Sequence, residues 1–111
     1  MILIKLTGLP KISLNQWYSG KHWTHRQKLK RIYTALVKSQ YSRIFPKDQK
    51  YVVSYVFTFK NNPLDASNCI AMVKMIEDII FEDDKWDIIK IGSIESKKGT
   101  LDKVEVKIDN Q

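Results

Sequence analysis

The sequence predicts an α/β (α+β) fold in a single domain: a mixed β-sheet with two main helices packed on it, in the order β-α-β-α-β-β. Three observations predict it. Two segments repeat apolar residues at helical spacing, and between them residues 51–60 alternate strictly. Two β-prone runs then close the chain, split by Lys97-Lys98-Gly99. With 111 residues the chain has room for one core and not for two.

The first strand covers residues 2–6 and ends at a turn signal over residues 8–10. Residues 11–22 read as irregular, with Ser13, Asn15, Ser19 and Gly20 as loop-formers. Thr24 and Gln27 form a candidate capping box that opens a helix to about residue 42. Its apolar positions are Leu29, Ile32, Tyr33, Leu36 and Val37, with Tyr41 one turn beyond Val37. Phe45-Pro46 ends it, because proline disfavours a helical residue before it. In residues 51–60, Tyr51, Val53, Tyr55, Phe57 and Phe59 share one apolar face, and Asn61-Asn62-Pro63 breaks the strand. A second helix over 67–81 buries Cys69, Met72, Val73, Ile76 and Ile80. Strands over 88–95 and 104–108 complete the order.

Composition narrows the class. The single cysteine, Cys69, cannot form an intramolecular disulfide and reads as a core thiol. No apolar run approaches the ~20 residues that span a bilayer, so no membrane partner is expected. The opening Met1-Ile-Leu-Ile-Lys5 is too short for a signal peptide, and a cytoplasmic domain is expected.

The formal charge is +7, and its distribution says more than its total. Residues 1–47 hold ten Lys and Arg and no acid, whereas residues 65–87 hold seven acids against Lys74 and Lys85. Lys28, Arg31 and Lys38 share a helix face, with Arg26 and Lys30 near it and Lys21 just before. Such asymmetry points to a polyanion, most often nucleic acid. A solvated basic face, or one that meets an acidic protein, is the alternative.

The acidic segment reads Asp65-Ala66-Ser67-Asn68, then Lys74, Asp78 and Glu82-Asp83-Asp84. On a continuous helix Ser67, Lys74 and Asp78 fall on one side, away from the buried stripe. Carboxylates from the two flanking loops then have a route to converge around a lysine, a set suited to Mg²⁺ and phosphate chemistry. An ordinary helix start, an i,i+4 ion pair and a solvated turn account for the same residues.

This ordered series resembles the RusA family of Holliday junction resolvases, especially its phage and prophage members. Leu9-Pro10-Lys11-Ile12-Ser13-Leu14-Asn15 is similar to that family's entry, followed by Trp17-Tyr18 and His22-Trp23. The resemblance implies that Asp65, Asp83 and Asp84 are metal-binding carboxylates and Lys74 an active-site lysine, with Ser67 and Asn68 in the first motif. Ser67 stands where the family has a second aspartate. Three readings stay open: Asp78 supplies the missing charge, metal is held weakly, or junctions are bound without being cut. The function implied is Mg²⁺- or Mn²⁺-dependent, symmetric hydrolysis of four-way DNA junctions in recombination and repair. The basic residues Lys21, Arg26, Lys28, Lys30, Arg31 and Lys38 would hold the branched DNA, the protein acting as a homodimer in the host cytoplasm.

Other features admit two readings each. Trp17, Tyr18 and Trp23 suit base stacking or loop packing. His22 and His25 are expected near phosphate rather than on a metal. Trp86 is expected as a core or dimer anchor, and Lys97-Lys98 as a polar turn or a phosphate contact.

Overall fold

A computed structural model describes residues 1–18 and 23–111, with Tyr18 and Trp23 described by their backbone alone. The elements are β1 (Ile2–Thr7), α1 (Leu14–Tyr18), α2 (Trp23–Gln40), β2 (Tyr51–Phe59), a 3-10 helix (Ala66–Cys69), α3 (Ile70–Ile80), β3 (Ile89–Lys98) and β4 (Lys103–Asn110). The expected mixed sheet is present, in the order β1-β4-β2-β3. β4 runs antiparallel to both β1 and β2, while β3 runs parallel to β2. A parallel pair needs a long crossover, and the 3-10 helix with α3 supplies it.

β2 lies inside the sheet because its apolar face matches its neighbours. Val53 faces Ile108, Tyr55 faces Val106 and Phe57 faces Val104. These side chains form one buried cluster with Tyr33 and Val37 of α2 and Met72, Ile76 and Ile80 of α3. The expected stripe of α3 is buried in full: Cys69, Met72, Val73, Ile76 and Ile80. Among the described side chains of α2, only Tyr33 and Val37 are fully covered; Leu29 and Leu36, and Tyr41 just past its end, lie half-buried at the edge of the core.

Four expectations need correction. Lys97 and Lys98 end β3 rather than forming the turn after it. Residues 14–18 are helical rather than irregular. Ser13 Oγ accepts a hydrogen bond from the Gln16 amide at 3.0 Å, and Gln16 Oε1 accepts one from the Ser13 amide at 2.9 Å. That reciprocal capping box satisfies two backbone donors at a helix start. The segment before α3 is a separate 3-10 turn, so Ser67 does not continue the α3 helix. Trp86 is 91% exposed and is not a core residue.

Two local contacts tie the frame together. The Gln40 side chain at the end of α2 accepts from the Thr7 amide at 2.7 Å and donates to the Thr7 carbonyl at 2.9 Å, which holds β1 to the helix. Gly8 follows with φ of 77°, a left-handed turn that favours glycine. At the opposite end, Phe45, Tyr51 and Phe81 pack ring against ring with centroids 5.3 to 5.5 Å apart.

Candidate active site and nucleic-acid interface

The crossover decides which acidic residues can meet. Asp65 ends the loop after β2, whereas Asp83 and Asp84 precede β3, and the two strands are parallel. α3 has 11 residues between those loops, which at ~1.5 Å per residue is about 16 Å. Oxygens on one Mg²⁺ lie within about 4 Å of each other, since each bond is about 2.1 Å. Asp65 and Asp84 therefore stand at opposite ends of the helix and do not share an ion within one chain. No group of three or more His, Cys, Asp or Glu among the described residues is arranged to hold a metal ion. The described residues do not form, in one chain, the metal site that the resemblance implies.

At the first end, Asp65 is exposed, and its carbonyl accepts from the Asn68 amide at 2.9 Å. Its side chain caps nothing, but its charge, after burial, contributes to lifting the Cys69 thiol to about 11. Ser67 is exposed and Asn68 half-buried. α1 packs beside this turn, so the two motifs that carry the resemblance, Ser13-Leu14-Asn15 and Asp65-Ala66-Ser67-Asn68, are neighbours. Lys11 Nζ donates to the Asn61 and Asn62 carbonyls at 3.0 and 2.9 Å, which fixes the loop leading to Asp65.

The charged cluster is at the other end. Asp84 stands close to Asp78, and burial followed by the Asp84 charge raises the Asp78 carboxyl. Glu77 is 8% exposed and lies beneath them. Burial, then Asp84, pushes its carboxyl up to about 7, against the opposing effects of the Tyr55 hydroxyl and Lys74. Lys74 and Lys30 both act on Asp78, so the lysine one turn before Asp78 and a lysine from α2 belong to one constellation. Carboxylates perturbed by burial and by each other are common at functional sites. Asp83 takes another role: its Oδ1 accepts from the Lys85 amide at 3.1 Å, and its Oδ2 lies 3.7 Å from Lys85 Nζ. It stabilises the turn rather than joining the cluster.

Glu77 was absent from the residues singled out in the sequence, although a signal existed. It lies four residues after Val73 and three before Ile80, on the buried row of the helix.

The cluster borders a groove of 620 Å³ between α2 and the end of α3, whose wall includes Thr34, Lys38, Asp78 and Glu82. A smaller recess beside it adds Lys30. Lys28, Arg31 and Lys38 are exposed, and no ion pair among the described residues involves them. Arg26 is turned away from that face, with its guanidinium 5.5 Å over the half-buried Trp17 ring. His25 is exposed beside them and borders a second recess with Lys11 and Trp17. Lys21 and His22, and the rings of Tyr18 and Trp23, lie outside the described residues.

Compared with protein-family models, curated proteins and solved structures, the chain matches none, so its function is argued from these residues. No helix of the described residues is long and apolar enough to cross a membrane.

Proposed function

We propose that the chain binds branched DNA, holding backbone phosphates on the exposed face of α2. The observation that carries this reading is that face. α2 runs for 18 residues without an acid, and Lys28, Arg31 and Lys38 stand on it without a carboxylate partner among the described residues. Cations left unneutralised by the protein suit a phosphate backbone, which binds without reading sequence. The resemblance of the Asp65-to-Asp84 series to RusA resolvases supplies the substrate class, a four-way junction. A homodimer fits that substrate, since twofold symmetry matches two equivalent strands.

A second reading, cleavage of the junction, is favoured by the Glu77–Asp78–Asp84 cluster with Lys74 and Lys30 at the edge of the same groove.

Fluorescence anisotropy with a synthetic four-way junction and a matched duplex, at low and moderate salt, tests binding. Tighter binding to the junction is expected, with strong salt dependence. Replacing Lys28, Arg31 and Lys38 by Gln should reduce the slope of log K against log salt by roughly two to three. Equal, salt-insensitive affinities would remove the DNA reading. Adding Mg²⁺ or Mn²⁺ tests the second. Symmetric nicks lost in Asp84→Asn support it, and an intact junction under both metals ends it.

A further inference from the structure

A second basic feature lies far along the chain from α2, where β3 turns into β4. Thr58, the penultimate residue of β2, pairs with Lys97 on one side and Lys103 on the other. Strands lie about 4.8 Å apart, so the two lysines flank one threonine across three strands, on the same face of the sheet. That row lies on the face opposite the helices, where the sheet is open: Lys5, Lys90 and Lys107 on it are exposed. Thr58 is nevertheless only 4% exposed. The connection from β3 to β4, which passes over the end of β2, accounts for this burial. A Cβ built at Gly99 would collide with the Thr58 methyl, so only glycine lets the turn close over it.

The result is a pocket of 220 Å³ whose wall includes Thr58, Lys97, Lys98, Gly99, Thr100 and Lys103. Lys97 and Lys103 thus flank one small concavity from the same face of the sheet, with Lys98 in its wall. Lys103 lies 3.7 Å from Glu105 Oε1; no ion pair among the described residues involves Lys97 or Lys98, although Glu95 lies two residues before Lys97 on the same face. The Thr58 hydroxyl is buried and has no hydrogen-bond partner among the described residues. A buried polar group without a partner is uncommon and often marks an absent ion or water. Lys97 and Lys103, about 10 Å apart across β2, leave a positive pocket over that hydroxyl. A compact anion with several acceptor oxygens relieves both conditions.

We infer that the pocket at the β3–β4 connection is a phosphate-binding site, with Lys97 and Lys103 as its cations and Thr58 as its floor. The ligand chemistry is a tetrahedral phosphate oxyanion, whether free or carried in a nucleic-acid backbone. The site is separate from the α2 face and does not depend on the chain cutting DNA.

The test is a ¹H–¹⁵N NMR titration of the full-length protein, first with inorganic phosphate and then with a short DNA duplex. Phosphate should shift the amides of residues 97–101, saturably and in fast exchange. In the Lys97→Gln, Lys103→Gln double variant those shifts should require at least tenfold more phosphate, while the rest of the spectrum keeps its native dispersion. Lys28→Gln with Arg31→Gln should leave them unchanged. If the duplex shifts the same amides and competes with phosphate, the source is a nucleic-acid backbone. If only inorganic phosphate does so, the site stands as a free-anion site and not as a nucleic-acid contact. Absence of saturable shifts at residues 97–101, or shifts that persist in the Lys97, Lys103 variant, would overturn the inference.

Discussion

The Tyr55 hydroxyl donates a hydrogen bond to Glu77 Oε1 at 3.3 Å, joining the middle of β2 to the last turns of α3 through the buried core. The contact puts a titratable carboxyl under the Asp78–Asp84 pair. Burial raises the Glu77 carboxyl to about 7 and raises the Tyr55 phenol as well. The protein therefore carries a group inside its fold that titrates near neutrality.

Stability should fall as pH rises through that range. The folded protein holds a Glu77 proton that the unfolded chain releases near 4.5, so the contribution is complete below 4.5 and is lost as pH passes about 7. Asp78 shifts in the same direction. The full Glu77 effect is at most about 3 kcal/mol, at 1.36 kcal/mol per pH unit. Glu77→Gln should flatten the profile. Urea unfolding at pH 5 and pH 8 checks this; parallel profiles for the two proteins would contradict it.

Tyr55→Phe should cost about 1 kcal/mol, with a greater loss at pH 8 than at pH 5. The hydroxyl lowers the Glu77 value because it favours the charged carboxylate, so its removal matters most where that form is populated. The same unfolding series gives the answer, and a loss that is larger at pH 5 would reverse the assignment.

Ser13→Ala should destabilise the protein by about 1 kcal/mol, the usual cost of removing a helix cap. Gln16→Ala should cost less when Ser13 is already gone, because the two side chains cap α1 reciprocally. A double-mutant cycle measured by denaturant unfolding checks both. Strictly additive losses would show that the two bonds act independently.

Trp86→Ala should change stability by no more than ~0.5 kcal/mol, whereas Ile76→Ala should cost about 2–5 kcal/mol. Trp86 is 91% exposed, and Ile76 is fully buried against the sheet. Comparing the two thermal unfolding midpoints is sufficient. A large loss from Trp86→Ala at high protein concentration alone would place this ring in a contact between copies.

The buried stripe of α3 and the apolar face of β2 were legible because they follow from local periodicity. Cys69, Met72, Val73, Ile76 and Ile80 recur at helical spacing, and Tyr51, Val53, Tyr55, Phe57 and Phe59 alternate, whatever surrounds them. α1 was also written in the chain, in the Ser13–Gln16 capping box, but loop-forming residues on either side obscured it. Glu77 was missed for a different reason. A charged residue on an apolar row is normally turned outward, and the hydrogen bond from Tyr55, 22 residues away along the chain, helps offset its burial.

By itself the sequence determined the two main helices and the four strands, which of their faces are apolar, and that a basic first half precedes an acidic segment. Each of these depends on residues a few positions apart. The tertiary structure alone decided which charges are neighbours. Pairing β2 parallel to β3 stretches α3 between their ends, which separates Asp65 from Asp84 and gathers Asp84, Asp78, Glu77, Lys74 and the α2 residue Lys30 instead. The same sheet sets Lys97 and Lys103 on either side of Thr58. Strand order and direction are set by long-range pairing, and no spacing along the chain contains them.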